Sequence, residues 1–179
     1  MSLDNLYYYV PTKKSENPKT IERDLIIYCA TPAGITAAVQ ARRAGLSVAI
    51  AEFGRHVGGM TASGLGATDL GAAEALGGLS KEFDNEIGKH YGKEQQYKFE
   101  PKVAKAIFEK WLEEHEIDVY FNQHLDEVKK ENGKITEIVM EDGTKYRGKI
   151  FIDSSYEGDL MEKAGVSYHV GRESNSTYK

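Results

Sequence analysis

The chain has 179 residues, a formal net charge of −5, 40% hydrophobic and 28% charged residues, and a single cysteine. That length encloses one domain with a sizeable core. The acidic balance argues against a nucleic-acid partner, one cysteine excludes an intramolecular disulfide framework, and no apolar run of roughly 18 residues is present to cross a membrane.

Residues 1–22 are polar, with Tyr7, Tyr8 and Tyr9 in succession and prolines at Pro11 and Pro18, and read as an arm leading into the fold. This stretch lacks an apolar signal core. With the lone cysteine this favours a cytoplasmic location, and a leader removed before residue 1 stays open.

Residues 24–52, DLIIYCATPAGITAAVQARRAGLSVAIAE, read as a βαβ unit. Residues 25–30 are a continuous apolar run, the pattern of a strand buried on both faces of a parallel sheet. Pro32 suits the first turn of a helix and Gly45 its end. A second strand over residues 47–51 stops at Glu52, near the spacing of about 20 residues at which a carboxylate accepts from a ribose hydroxyl. The helix start would present unpaired N–H groups to an anion. The usual G-x-G-x-x-G positions are Cys29, Thr31 and Gly34, of which only the last is glycine. On these residues alone, a dinucleotide site and a βαβ unit without nucleotide both stay open.

Residues 53–61 follow directly, with Gly58 and Gly59 allowing close backbone approach and Arg55 and His56 offering donors. Residues 63–78 form a glycine-rich, almost charge-free loop, read as backbone wrapped around a ligand, with a flexible lid as the other reading. Residues 79–91 and 101–116 carry apolar stripes at helical spacing, and Trp111 in the second stripe reads as core. Residues 118–121 read as a short strand joining the parallel sheet. Asn132-Gly133 and Asp142-Gly143 then join three segments, residues 124–131, 134–141 and 145–153, into an antiparallel meander. In the middle segment, Ile135 and Val139 are expected on one face, Ile138 and Met140 on the other. Residues 154–159 form a polar turn, a short helix covers residues 160–164, and residues 167–179 are a polar tail without periodicity.

These pieces in this order resemble the FAD-binding N-terminal part of the two-dinucleotide-binding-domain flavoproteins. The wording resembles the FAD-dependent oxidoreductase family more narrowly, in ATPAGI, GRHVGGMTASGLGATDLG, GGLSKEF, FEPKVA and FIDSSYEGDLMEKAGVSYHVGRES. The resemblance implies an α/β fold: a Rossmann-like FAD-binding domain over residues 23–166, with a central parallel sheet, flanking helices and an inserted meander at about residues 124–149. It implies non-covalent FAD. Cys29, Thr31, Ala33 and Gly34 would meet the pyrophosphate, with Cys29 crowding the turn. Glu52 would take the adenosine ribose and Phe53 the adenine side. Arg55, Gly58, Gly59, Met60 and Thr61 would line the diphosphate and ribityl region. Leu125 would offer backbone to adenine, Ser154, Ser155 and Gly158 would close the site, and residues 63–68 would run toward the flavin ring.

No catalytic residue and no metal site follow from the sequence. His56 suits a phosphate or backbone hydrogen bond better than acid–base work, Asp69 reads as a turn or cap, and Asp159 would repel phosphate unless it caps or accepts. Members of the family are several times longer. The expectation is therefore an FAD-binding portion of an oxidoreductase of unknown small-molecule substrate, inactive alone. A hydrophobic edge or face is expected to be left open near the first strand, and either self-association or the N-terminal arm is expected to cover it. A stand-alone or degenerate module without cofactor, and a nicotinamide-binding domain, are the competing readings.

Overall fold

The computed structural model describes residue 10 and residues 12–178, so the adjacent tyrosines of the arm lie outside the described residues. The βαβ unit is β1 (Thr20–Tyr28), α1 (Pro32–Arg43) and β2 (Val48–Ala51). All four residues of β2 are buried, as are the last four of β1. Strand β1 starts five residues before the apolar run, inside the stretch read as an arm. The reason is a partner rather than a pattern: Thr20, Ile21, Glu22 and Arg23 stand in register with residues 145–148. Upstream, Ser15 N–H donates to Asp142 O and Thr12 N–H to Glu141 Oε2, laying this segment along a hairpin turn.

Next come α2 (Gly59–Ser63), a 3₁₀ turn (Ala73–Ala75), α3 (Gly78–His90) and α4 (Pro101–Glu114). Helix α2 falls on the double-glycine segment, where the sequence reading placed no element. It is a single turn without a buried residue, too short to leave a periodic signal. The apolar stripes of α3 and α4 converge on one aromatic cluster, where Phe83 stacks on Phe108 at 4.7 Å and Trp111, 4% exposed, meets both edge-on.

The remaining elements are β3 (Asp118–Tyr120), β4 (Leu125–Glu131), β5 (Lys134–Met140), β6 (Lys145–Asp153), α5 (Asp159–Lys163) and a 3₁₀ turn (Asn175–Thr177). They complete a six-stranded mixed sheet in the order β3-β2-β1-β6-β5-β4. Strands β3, β2, β1 and β6 run parallel; β6, β5 and β4 pair antiparallel. Strand β6 therefore belongs to both halves, and through it the meander is a continuation of the parallel sheet.

Helices α1, α3 and α4 cover one face, around Ile27, Ile35, Ile50, Phe108 and Trp111. The meander and α5 cover the other, around Ile26, Cys29, Leu125, Ile138, Met140, Tyr146 and Leu160. Ile135 does not oppose Ile138 as the alternation suggested. A register shift opposite Lys129 and Lys130 leaves Thr136 unmatched, and Ile135 turns to the same cluster as Ile138.

Strand β1 is interior, flanked by β2 and β6, while β5 is registered against residues 145–147 of β6 alone. Among the described residues no strand pairs with the outer side of residues 149–153, and Ile150 there is 53% exposed. No described helix is long and apolar enough to cross a membrane.

Candidate functional site

The carboxyl ends of β1, β2 and β6 meet at one crevice, the place where open α/β sheets bind ligands. At the end of β1 the chain must turn sharply into α1. Cys29 makes that turn in the left-handed region, φ 78°, as a glycine would. Its thiol is wholly buried in the meander-side core. Its side chain packs with Tyr28, Leu125 and Leu160 in that core. Burial, and then the charge of Glu52, push this thiol well above its ordinary range.

Thr31 caps α1: its Oγ1 accepts from Gly34 N–H at 3.3 Å and donates to Ser154 O at 2.8 Å. Ser154 Oγ in turn donates to the Tyr28 and Cys29 carbonyl oxygens at 2.7 and 2.6 Å. A Cβ on Gly34 would overlap the Cys29 carbonyl oxygen and stand 2.5 Å from Ser154 Oγ. The one retained glycine thus serves close packing of helix, turn and return strand. The N–H groups of Thr31 and Ala33 donate to nothing among the described residues, and Pro32 has none to donate.

Glu52, 5% exposed, ends β2 beneath this turn. Its two carboxylate oxygens accept from Ala30 N–H and Gly54 N–H, each at 2.6 Å. The carboxylate is locked in place by backbone, and each oxygen keeps a further lone pair. Gly58 N–H donates to Ala30 O at 2.7 Å, tying the double-glycine segment to the same turn. Arg55 Nε donates to Asn122 Oδ1 at 3.2 Å.

Two cavities share this crevice. The larger, about 310 Å³, is lined by Thr31, Glu52, Phe53, Arg55, Gly59 and Met60 together with residues of the return turn. The smaller, about 250 Å³, is lined by Tyr28, Phe53, His124, Leu125, Asp159 and Lys163 among others. Phe53 borders both, is 44% exposed, and leans toward the His124 ring with centroids 6.4 Å apart. The two form one elongated site folded over Phe53, with the free α1 amides at one end and the meander at the other. The Leu125 N–H faces Tyr28 Oη at 3.4 Å, so its donor is partly engaged within the fold.

The return turn is built on its own hydrogen bonds. Asp153 Oδ1 accepts from Ser155 N–H and Oγ–H, and Asp153 Oδ2 accepts from Met161 N–H. Ser155 Oγ accepts from Gly158 and Asp159 N–H. Partial burial, then the neighbouring Glu157 and Asp153 carboxylates, push the Asp159 carboxyl up.

Of the residues read from sequence, the structure brings Thr31, Glu52, Phe53, Arg55, Gly59, Met60, Ser155 and Leu125 to the cavity walls. Cys29, Ala33, Gly34, Gly58, Thr61, Ser154 and Gly158 line neither, although Gly34 and Ser154 form the turn behind the wall. His56 and Ser63 also line the larger cavity. Tyr28, Tyr156 and Lys163 escaped the sequence reading. Tyr28 sat in an apolar strand, and Tyr156 and Lys163 adjoined a turn read only for its small polar residues. Among the described residues no group of His, Cys, Asp and Glu could hold a metal ion.

A family model described as FAD dependent oxidoreductase matches residues 24–179. No curated protein sequence matches the chain. Among solved structures, an L-amino acid deaminase from Proteus vulgaris superposes with a TM-score of 0.65 at 14% identity, over 88% of this chain and 53% of that one. An L-proline dehydrogenase from P. horikoshii gives 0.64 at 13% identity, over 87% and 58%. A geranylgeranyl bacteriochlorophyll reductase-like protein from Thermoplasma acidophilum gives 0.59 at 20% identity, over 83% and 43%. The chain spans about half the length of these structures, and at such identities the likeness is one of fold.

Proposed function

The chain belongs to the FAD dependent oxidoreductase family, and on that premise we propose that it forms the FAD-binding portion of a flavin-dependent oxidoreductase. The observation that carries this reading is the elongated crevice over Phe53, with Glu52 between the free α1 amides and the meander cavity. The residues fit the cofactor's chemistry. Unpaired N–H groups at the start of a twelve-residue helix suit a pyrophosphate. A fixed carboxylate with spare lone pairs suits ribose hydroxyls, and an exposed aromatic ring beside an apolar strand suits a purine.

In this reading the amides of Thr31 and Ala33 hold the pyrophosphate, Glu52 the ribose, and Phe53, Tyr28 and Leu125 the adenine. Arg55, Gly59, Met60 and residues 63–68 face the ribityl chain and ring. Bound flavin supplies two-electron acceptance from a small-molecule substrate; the chain's own residues bind and orient it.

The proposal includes self-association of this chain through the outer side of β6. Antiparallel pairing of residues 149–153 about Phe151 would place Lys149 opposite the partner subunit's Asp153 and Ile150 opposite the partner subunit's Ile152.

The test is the visible spectrum of the purified chain before and after incubation with FAD and desalting. Retained flavin bands, lost in Glu52→Gln together with Phe53→Ala, are expected. A colourless wild type that takes up no FAD would establish the module without cofactor instead.

A further inference from the structure

Tyr156 is a residue the cofactor reading leaves without a role, and its position is specific. It projects from the return turn across the larger cavity, and its Oη accepts from Met60 N–H at 2.9 Å. The phenol oxygen fills the gap between the first residues of α1 and α2: a methyl group on Gly59 would overlap Tyr156 Oη while standing 3.2 Å from Pro32 Cδ. Met60 N–H is Tyr156's one hydrogen-bond partner among the described residues, no ring packs on it, and it is 53% exposed. Its base is rigid, because Ser155 is held by Asp153 on one side and by the Gly158 and Asp159 amides on the other. The side chain can therefore swing about χ1 while the turn stays in place.

We infer that Tyr156 is a latch: in the ligand-free protein its hydroxyl stands where an oxygen of the bound dinucleotide comes to lie, and binding displaces it. The inference rests on the cofactor reading. The larger cavity is walled by Thr31 at the start of α1, by Gly59 and Met60 at the start of α2, and by Tyr156 itself. The phenol oxygen stands among these residues, bonded to Met60 N–H and close to Gly59. It keeps the two helix starts bridged and the Met60 amide satisfied until a better acceptor arrives, and each binding event breaks one hydrogen bond.

The experiment compares wild type with Tyr156→Phe, which keeps the ring and removes the acceptor. FAD is titrated by fluorescence quenching, and exchange of the Met60 amide is followed in the ligand-free proteins. Loss of one hydrogen bond from the free state is expected to tighten FAD binding by about 5-fold. Met60 N–H is expected to exchange faster in the variant. Weaker binding by Tyr156→Phe would show that the hydroxyl contacts the ligand, and unchanged binding that it lies clear of the ligand; either overturns the latch. FAD uptake by either protein upholds the cofactor reading whichever way the ratio falls. If neither binds, that reading fails and the latch, which rests on it, is overturned with it.

Discussion

Cys29 sits in a backbone conformation that costs a non-glycine residue roughly 1–2 kcal/mol, and its thiol is fully enclosed. The two facts oppose each other under substitution. Cys29→Ala keeps the strain and loses the sulfur's packing, a loss of about 1 kcal/mol. Cys29→Gly loses the buried Cβ as well as the sulfur but releases the strain. The glycine variant is therefore expected to be at least as stable as the alanine variant in urea denaturation, the reverse of the usual order within regular structure. A clearly more stable alanine variant would contradict the strain argument. The sequence showed a cysteine at a glycine position but not its consequence. Which face a side chain takes at a turn depends on the sign of φ, and φ at Cys29 is set by α1 and β6 packing around it. Glu52 was legible for the same reason in reverse: a carboxylate directly after a buried strand has only the crevice to point into.

At the level of the hairpin, β5 buries Glu137 between Lys129 of β4 and Arg147 of β6, at 2.8 and 2.7 Å. Burial pushes this carboxyl up, but the hydrogen bonds and charges of Lys129 and Arg147 outweigh it and hold it below its ordinary value of 4.5. A group depressed in the folded state stabilises the fold above its unfolded pKa. That contribution is lost as pH falls through the folded value. Stability of the wild type is thus expected to decline between about pH 5 and pH 3, and Glu137→Gln is expected to flatten that decline. Near neutral pH the variant should be less stable by about 1–3 kcal/mol, toward the low end because both cations are half exposed. Denaturation midpoints at several pH values check both. Helices α3 and α4 and both hairpin turns were readable because stripes and Asn-Gly or Asp-Gly pairs are local signals. The bulge at Thr136, the early start of β1 and the single turn of α2 were not, because pairing partners far along the chain set them.

For the molecule as a whole, order along the chain was enough to place the βαβ unit, the meander and the return strand in one flavoprotein-type domain. Which strand carries the open edge depends on β6 sitting between β1 and β5. The edge has a solution consequence on the proposed reading. Light scattering is expected to show mass rising with concentration, and Ile150→Lys is expected to shift the chain toward monomer by setting a charge opposite the partner subunit's Ile152. A monomer at every concentration would remove self-association from the proposal. The placement of β6 also bears on how the chain is made. Its pairing with β1 joins groups 125 residues apart, including the Ser154 hydroxyl that binds the Cys29 carbonyl. A ribosome releasing the chain from its N-terminus delivers β1, α1 and β2 long before the strand that closes them. The crevice is therefore assembled last, in one slow, long-range step, and until then β1 waits with one side unpaired and available to whatever chaperone or neighbouring chain reaches it first.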